Sequence, residues 1–416
     1  MLTPFVLIRL AWLGLKNPDY WDRWPERFAY ISFAGDDRPV IWIHAVSVGE
    51  VQAASPLVSS LLASYPRYQV LITTVTPTGA DMVRRKFAES VLHYYLPYDL
   101  PHVVNRFIDI VQPAMLIVME TELWPNLYWR CHQQAIPIIL VNARMSVRSF
   151  AGYKKLPMLI RQTLSKINMI ATQSDTDGDR LISLGADPGK VIVTGNLKFD
   201  VNAPHSIAEQ AQSLRRYFSV NRPIWIAAST HEGEESLIFQ AHRQILTKHK
   251  NCLLIIAPRH LERFAKVAEL SIKSGFKTLC KSACRACDNE VQVFVLDSLG
   301  ELLVYYAASD VAFVGGSLLP FGGHNMLEPA SLGVPVITGR HTQNFMDINR
   351  TLLDKGAAWQ VSDIRQLTEK VALLLSDGNL RHHMGQLGKE MVEQNKGSTE
   401  RIMTLIAENL LARTTP

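Results

Sequence analysis

The sequence has few cysteines, and they do not predict a disulfide framework. There are five in 416 residues. This odd number and the lack of a recognisable secretory signal predict free thiols in a cytosolic folded part. Cys280, Cys284 and Cys287 form a cluster, but a tetrahedral metal site needs a fourth ligand. Because charged residues flank the cluster, we expect a solvated loop there rather than a metal site.

Several ligand-binding motifs are also absent. No Gly-x-Gly-x-x-Gly follows the first predicted strand, and there is no Walker loop and no Asp-x-Asp metal clamp. These absences argue against NAD binding, ATP hydrolysis and the metal-dependent sugar transferases. No His-Glu-x-x-His spacing links the histidines, and no nucleophile elbow supports a Ser-His-Asp triad. The net charge of +5 is too small to predict nucleic-acid binding.

Long apolar runs are missing, and the one membrane-like stretch is at residues 4–15. At about 1.5 Å per residue, this stretch is too short to cross a hydrocarbon core roughly 30 Å thick. Aromatic and basic residues follow it, as expected at a lipid headgroup boundary. An interfacial anchor and a helix packed on the following domain are equally good interpretations. The aromatic and basic residues are Tyr20, Trp21, Arg23, Trp24, Arg27, Phe28 and Tyr30.

Apolar, β-rich runs alternate with helical stretches along the chain. This pattern predicts parallel sheets that are buried on both faces. It restarts near residues 200–222, which predicts two doubly wound α/β domains, residues 31–205 and 206–416, after a membrane-associated segment 1–30. The predicted strands are residues 41–48, 69–75, 91–96, 114–120, 136–142, 169–173 and 191–194, and then 224–228, 253–257, 293–296, 311–314, 334–337 and 359–361.

Polar residues cluster directly after these predicted strands. Doubly wound sheets bind ligands outside the carboxyl ends of their strands. Two such edges that face each other across a cleft would suit an enzyme with two substrates. The histidines at or next to strand ends are expected to hydrogen-bond phosphate or sugar. They are His44, His231, His260, His324 and His341.

Three carboxylates in the first half are candidates for acid–base chemistry. Glu50 lies at the first strand-to-helix turn, where it could be a poised general base or only complement the helix dipole. Glu120 and Glu122 end a strongly apolar predicted strand. They could act in catalysis or form a buried ion pair between adjacent loops. The cations that could partner them are Lys198, Arg144 and Arg148.

A glycine-rich segment at residues 315–330 is the most informative part of the second half. Such loops present free backbone N–H groups to phosphate where they lead into a helix. We expect that helix to begin near Asn325, an N-cap residue type. Glu328 would then accept hydrogen bonds from ribose hydroxyls. Arg259, at another strand end, would bind a phosphate or a carboxylate.

Longer motifs in the chain resemble one enzyme family. The two predicted Rossmann-like domains, with a Glu-bearing glycine-rich loop in the second, resemble the GT-B glycosyltransferase architecture. The motifs themselves resemble the 3-deoxy-D-manno-octulosonic acid (Kdo) transferases of Gram-negative bacteria, nearly end to end. They are HAVSVGE (44–50), TVTPTG (74–79), YLPYD (95–99), ETELWPN (120–126), LKFD (197–200), STHEGE (229–234) and GGHN (322–325).

The resemblance implies an activity and its substrates. It implies inverting, metal-independent transfer of Kdo from CMP-Kdo to the lipid A precursor, lipid IVA, a tetraacyl disaccharide bisphosphate. This step belongs to lipopolysaccharide core biosynthesis. The implied location is the cytoplasmic face of the cell inner membrane, with the membrane surface as a partner. No cofactor and no nucleic-acid partner are implied.

The resemblance also implies which residues form the site. Glu50 matches the general base, and Glu120 or Glu122 with Lys198 match groups that stabilise the transition state. Met326 stands where the family often has proline. The residues that match the CMP-binding segments are Pro258, Arg259, Leu299, Gly300, Glu301, Asn325, Met326, Leu327 and Glu328.

Two other functions stay open at this point. A nucleotide-sugar epimerase of the same architecture, such as a UDP-GlcNAc 2-epimerase, would need neither a membrane acceptor nor an apolar anchor. A lipid-binding or scaffold protein on a degenerate transferase fold is the non-enzyme alternative. Intact Glu50, Lys198, Arg259 and Glu328 argue against the second of these.

Overall fold

The computed structural model describes residues 12, 14, 15, 17–200 and 206–414. Contacts within the chain divide it into two units. Unit 1 comprises Met1–Asp200 and Asn395–Pro416, and unit 2 comprises Val201–Gln394. The last 22 residues, which the sequence placed in the carboxyl-terminal domain, therefore associate with unit 1.

Unit 1 is built on a parallel sheet of seven strands. They are β1 (Val40–His44), β2 (Gln69–Thr74), β3 (Leu92–Tyr95), β4 (Pro113–Met119), β5 (Ile138–Ala143), β6 (Met169–Thr172) and β7 (Val191–Val193). Their order is β3-β2-β1-β4-β5-β6-β7, so the order reverses between β1 and β4. Such a reversal is the switch point at which doubly wound sheets bind ligands.

Helices cover both faces of this sheet. Trp42 packs into the apolar core on one face, while Ile41 and Ile43 pack into the core on the other. Both faces are therefore apolar, which explains the uninterrupted apolar strands. Four of the helices begin at a proline, whose fixed φ suits the first helical position. The helices are α1 (Val48–Ser64), α2 (Pro77–Phe87), α3 (Pro101–Val111), α4 (Pro125–Gln133), α5 (Val147–Tyr153), α6 (Pro157–Leu164) and α7 (Asp175–Ser183), with a 3₁₀ turn at Leu197–Phe199.

Unit 2 has a second parallel sheet of seven strands. They are β8 (Ile224–Thr230), β9 (Leu253–Pro258), β10 (Thr278–Cys280), β11 (Val293–Val295), β12 (Val311–Val314), β13 (Val336–Thr338) and β14 (Ala358–Gln360). Their order is β10-β11-β9-β8-β12-β13-β14, which puts the switch point between β8 and β12. The sequence did not predict β10, because this edge strand has only three residues and none of them is fully buried.

The helices of unit 2 lie on both faces of its sheet, as the two core clusters of this unit show. The prediction of two doubly wound parallel-sheet domains is thereby confirmed. The helices are α8 (Ile207–Tyr217), α9 (Glu234–Lys248), α10 (Phe264–Lys273), α11 (Leu302–Ala307), α12 (Leu327–Ser331), α13 (Met346–Asp354), α14 (Ile364–Ser376) and α15 (Gly378–Asn395).

The last helix, α16 (Ser398–Thr414), returns to unit 1. Its Ile402 and Ile406 are fully buried in the same core cluster as α1. The carboxylate of Asp200 accepts the N–H groups of Gly397 and Thr399 at 2.7 and 2.5 Å, which caps the start of the helix. Apolar burial and this cap explain why α16 belongs to unit 1.

The apolar stretch at residues 4–15 falls mostly outside the described residues, which omit 1–11, 13 and 16. After it come two 3₁₀ turns, Pro18–Trp21 and Trp24–Phe28. Arg27 and Phe28 are buried, and the Arg27 guanidinium lies 4.0 Å from the centre of the Tyr95 ring. These two side chains therefore pack on the core of unit 1, while the membrane association of residues 1–30 stays a prediction.

Other side chains of the same segment are exposed. Trp21, Trp24 and Tyr30 are 45%, 43% and 65% exposed. Among the residues that the structure describes, no helix combines the length and apolar character needed to span a bilayer.

Candidate active site

Glu50 lies at the switch point of unit 1, in the first turn of α1. It is only 8% exposed. One carboxylate oxygen accepts the Val46 N–H at 2.8 Å, and the other accepts the Ser47 hydroxyl at 3.3 Å. The predicted first strand continued to residue 48, but β1 ends at His44. The chain leaves the sheet there and folds back so that its N–H groups reach Glu50.

Burial and neighbouring negative charge set the protonation of this carboxyl. Burial, followed by the charge of Glu120, raises the pKa of Glu50 to about 8. Burial and then Glu120 also raise the pKa of Glu122 to about 7. The three carboxyls are thus close enough to repel one another. A carboxyl with a pKa near neutral can accept a proton from a substrate hydroxyl, which favours the general-base interpretation of Glu50 over a purely structural one.

A sharp turn after β4 places Glu120 and Glu122. Glu120 has a left-handed φ of 54°, and its N–H donates to the Val141 carbonyl at 2.9 Å. The Tyr128 hydroxyl donates to the Glu122 carbonyl, which fixes the next part of the loop. The ion-pair interpretation of Glu120 and Glu122 stays a prediction.

Lys198 lies in the 3₁₀ turn Leu197–Phe199, which folds back from β7 toward the switch point. The Leu197 N–H donates to Oδ1 of Asn142 at the end of β5, at 3.0 Å. The Leu197 side chain is fully buried in the same cluster as Val51 of α1. These contacts bring Lys198 to the carboxyl edge of the sheet, where the three glutamates also lie.

The candidate CMP-binding residues of unit 2 follow three strands of its sheet, β9, β11 and β12. Arg259 follows β9, and its N–H donates to the Thr230 carbonyl of β8 at 3.0 Å. Leu299, Gly300 and Glu301 follow β11, which pairs with β9. The helix after Glu301, α11, packs against α12. The structure therefore brings these three segments together within unit 2.

The polar partners of these segments show which groups can reach a ligand. Glu301 accepts hydrogen bonds from Lys281 and from Ser298. Burial raises the pKa of Glu301, but these two hydrogen bonds outweigh burial, so the net shift is downward. Met326 and Leu327 are fully buried, as is most of Pro258, so their side chains belong to the core. Met326 and Leu327 can offer only backbone groups to a nucleotide.

The helix predicted near Asn325 begins two residues later, at Leu327. Oδ1 of Asn325 accepts the Leu327 N–H at 3.1 Å, and its Nδ2 donates to Glu328 at 3.1 Å. Asn325 lies one residue before the N-cap, Met326, where it binds the first N–H of the helix and orients the Glu328 carboxylate. The helix has five residues.

The first part of the glycine-rich segment, directly after β12, does not leave its N–H groups free for phosphate, whereas the predicted phosphate contact where the segment leads into the helix stays a prediction. The fully buried carboxylate of Glu234 accepts the N–H groups of Gly316, Ser317 and Leu318 at 2.7, 3.0 and 2.9 Å. It also accepts the His231 N–H at 3.0 Å. An anion of the protein itself thus fills this backbone nest.

Sequence reasoning missed Glu234, although a signal for it exists. Gly-Glu opens the first helix after the first strand of both units, as Gly49-Glu50 and as Gly233-Glu234. The equivalent positions have different surroundings. Glu50 accepts a single backbone N–H, whereas Glu234 accepts four.

The predicted ligand-binding histidines separate into different groups. His44 is fully buried, with Nδ1 against Thr73, and burial lowers its pKa to about 4. It is therefore a core residue and not a ligand contact. His231 and His324 form a hydrogen-bonded pair, and the ring of His260 lies 5.3 Å from that of His231. His341 is bound through its backbone N–H to Ser317.

The sequence predicts a solvated loop at the cysteine cluster, and the three cysteines are solvent-accessible to different degrees. Cys284 is exposed, Cys280 is half-buried and Cys287 is buried. Within the described ranges, no group of three His, Cys, Asp or Glu side chains is placed to hold a metal ion.

Comparison with known proteins identifies the family of both halves. A family model for 3-deoxy-D-manno-octulosonic-acid transferase (kdotransferase) matches residues 22–201. A model for glycosyl transferases group 1 matches residues 225–391. The chain is 43% identical over 405 residues to the 3-deoxy-D-manno-octulosonic acid transferase of Haemophilus influenzae, covering 97% of this chain and 95% of the relative. It is 34% identical to that of Bordetella pertussis, covering 88% and 87%.

A solved structure shares the fold. The UDP-GlcNAc 2-epimerase from Neisseria meningitidis, bound to UDP-GlcNAc, matches with a TM-score of 0.57 over 90% of this chain and 100% of the epimerase. At 17% identity, this likeness shows the GT-B fold alone. The sequence relatives decide the family: the chain belongs to the 3-deoxy-D-manno-octulosonic acid transferases, a family of glycosyltransferases.

Proposed function

We propose that this enzyme transfers Kdo from CMP-Kdo to the lipid A precursor, lipid IVA, in lipopolysaccharide core biosynthesis. Family membership supports Kdo as the transferred sugar. The observation that carries the mechanism is the buried carboxyl of Glu50, with its raised pKa, at the switch point of unit 1. Unit 1 is assigned to the acceptor and unit 2 to the CMP moiety.

Glu50 is the general base in this proposal. It accepts the proton of the primary hydroxyl on the distal glucosamine while that oxygen forms a bond to the ketosidic carbon of Kdo. The bond from this carbon to the phosphate oxygen breaks on the opposite face, and its electron pair leaves with CMP. One inversion at the ketosidic carbon is the stereochemical result.

The second requirement of the reaction is stabilisation of charge. A quaternary ketosidic carbon favours an oxocarbenium-like transition state, with negative charge growing on the leaving phosphate. Arg259 is exposed at the carboxyl edge of unit 2 and supplies a fixed cation for that phosphate. Lys198 and either Glu120 or Glu122 are assigned to stabilising the transition state. No step requires a metal ion.

We place the enzyme at the cytoplasmic face of the inner membrane, because its acceptor is a lipid. The exposed rings of Trp21, Trp24 and Tyr30 lie beside basic residues, which suits a headgroup boundary. Basic residues near the amino terminus would also attract the two phosphates of the acceptor.

We expect the purified enzyme to release CMP from CMP-Kdo only when the lipid A precursor is present. The measurements are CMP release from CMP-Kdo, with the acceptor in anionic vesicles or omitted, and epimerisation of UDP-GlcNAc in a separate reaction. Excess chelator is expected to leave the rate unchanged. Epimerisation of UDP-GlcNAc without transfer from CMP-Kdo would favour the epimerase alternative and contradict the proposal.

With CMP-Kdo saturating, we expect kcat/KM for the lipid acceptor to rise with pH and to level off above about pH 8. Glu50 must be ionised to accept a proton, and burial, followed by Glu120, raises its pKa to about 8. Below that pKa, the ionised fraction falls about tenfold for each pH unit, and the rate falls with it. A pH–rate profile of the wild type checks this. A profile that stays flat from about pH 5.5 to about pH 9 would exclude a base with this pKa.

A further inference from the structure

His231 and His324 form a pair at the switch point of unit 2. Their Nε2 atoms are 2.7 Å apart, and their rings are almost coplanar, with an angle of 2° between them. His231 follows β8, and His324 lies in the loop after β12, the two strands that border the switch point. The residues are 93 positions apart in sequence. The fold therefore builds this pair from two separate segments.

The neighbouring residues leave room for the two rings and stack on one of them. Phe321 stacks on His231 with ring centres 4.3 Å apart. A Cβ at Gly316 would lie 2.9 Å from Cδ2 of His324 and 3.3 Å from Cδ2 of His231. Gly316 also has a left-handed φ of 66°, so glycine is needed both for its backbone and for the space that the rings occupy.

A hydrogen bond between two ring nitrogens restricts where the protons can be. One Nε2 donates and the other accepts. When both rings are neutral, the donating ring has an unprotonated Nδ1, whereas the accepting ring has a protonated Nδ1. Both rings are partly exposed, and within the described part of the chain neither Nδ1 atom makes a hydrogen bond. The neutral pair therefore offers a ligand one donor and one acceptor.

One added proton changes what the pair offers. Both Nδ1 atoms then carry hydrogen, and the Nε2 hydrogen bond can remain. The pair would present two donors and one positive charge, which suits two oxygens of a phosphate. Without a ligand the pair is neutral near pH 7, because burial and nearby charges lower the pKa of His231 to about 4 and that of His324 to about 3.

Positive charge faces the pair from the segment after β9. Arg259 and His260 act on both rings, and Arg263 acts on His231. Arg263 is itself paired with Glu232 and Glu235, at 3.2 and 3.0 Å. From α9, the carboxylate of Glu234 accepts the His231 backbone N–H and is saturated by the glycine-rich loop. An anion placed among these cations would offset the burial, and then the repulsion, that keep the pair unprotonated.

We infer that His231 and His324 form a two-donor phosphate site that takes up one proton when the phosphate of the CMP-linked donor binds. The inference rests on the proposed donor and extends it, since it assigns the phosphate to the histidine pair beside Arg259. The glycine-rich nest is excluded as the phosphate site because Glu234 occupies it.

The test measures proton uptake by calorimetry with the whole wild-type chain. The probe is cytidine 5′-(methyl phosphate), a diester that, like the donor, has no phosphate proton titrating near neutral pH. Titrations in two buffers of different ionisation enthalpy give the number of protons taken up. We expect uptake approaching roughly one proton near pH 6, decreasing toward zero above about pH 8.

The affinity for the diester should decrease with rising pH, as the proton uptake does. Because the complex holds the extra proton, affinity for the diester decreases as pH rises through the pKa of the bound pair, by at most about tenfold per pH unit. Cytidine, which lacks the phosphate, should bind without proton uptake. No uptake with the diester at any pH, or equal uptake with cytidine, would overturn the inference while leaving Kdo transfer intact.

Two variants test whether the proton that is taken up binds to the histidine pair. His231→Asn and His324→Asn each remove one Nε2, so the hydrogen bond between the rings cannot form. Each should abolish proton uptake and lower affinity for the diester about tenfold or more at pH 6. The matched control is His383→Asn, at an exposed position of α15 in the same unit. Uptake that persists in both pair variants would overturn the assignment.

Discussion

Replacing Glu50 with glutamine is expected to lower the rate of Kdo transfer about a thousandfold. Glutamine has nearly the same shape, and its amide oxygen can still accept the Val46 N–H at the start of α1. It cannot accept a proton at neutral pH. The loss should therefore appear in the chemical step, with the fold and CMP binding retained.

The control for this variant is Glu89→Gln, an exposed glutamate of unit 1. It makes the same chemical change away from the switch point and should leave the rate unchanged. Single-turnover rates and CMP affinity are measured for both variants. If Glu50→Gln retained more than about a tenth of the wild-type rate, Glu50 would not be the base.

Replacing Glu234 with alanine is expected to have the largest effect on stability. The variant would leave up to four buried N–H groups without their acceptor. Each unsatisfied buried donor costs about 1–3 kcal/mol, and water entering the space would offset part of this cost. We expect the free energy of unfolding to fall by about 3–5 kcal/mol, measured by chemical denaturation.

A neighbouring residue provides the comparison for Glu234. Glu232 is two positions away, and its side chain is 84% exposed in an ion pair with Arg263. Glu232→Ala should change the free energy of unfolding by less than about 1 kcal/mol. Equal denaturation midpoints for the two alanine variants would show that the Glu234 carboxylate does not hold the glycine-rich loop.

The Gly-Glu pattern occurs once in each unit, and the two glutamates have different roles because their surroundings differ. Glu50 is buried, has two negative neighbours and receives few hydrogen bonds, so its proton affinity is increased. Glu234 receives four backbone N–H groups and serves as a fixed anion inside the loop. A donor-poor carboxyl can exchange a proton with a substrate. A donor-rich one is better suited to hold backbone in place.

The sequence was sufficient to predict the two doubly wound sheets. Strands such as β4 are apolar at almost every position because both faces are covered, and this pattern is visible without a structure. The short edge strand β10 was missed because three half-buried residues leave no such pattern. The return of α16 to unit 1 was also missed, since it depends on contacts between Asp200 and residues almost two hundred positions later.

The sequence could predict residues of the site only where reactive side chains lie in the loops after strands. Glu120 and Glu122 come directly after β4, and Glu50 lies in the first turn of the helix after β1, so the sequence could place them at one edge. The nest around Glu234 and the pairing of His231 with His324 depend on how two loops fold toward each other. No local pattern encodes the conformation of these loops. The hydrogen bonds from Gly316, Ser317 and Leu318 to Glu234 could not be predicted for this reason.

The most direct test of the account is the mass of the lipid product. Purified enzyme is incubated with CMP-Kdo and the tetraacyl disaccharide bisphosphate, and the lipid is examined by mass spectrometry beside a reaction with Glu50→Gln. The account predicts that wild-type enzyme increases the mass of the acceptor by a whole number of Kdo residues, whereas the variant leaves it almost unmodified. If wild-type enzyme released CMP from CMP-Kdo but left the acceptor unmodified, or if both proteins modified it equally, the proposed reaction would be contradicted.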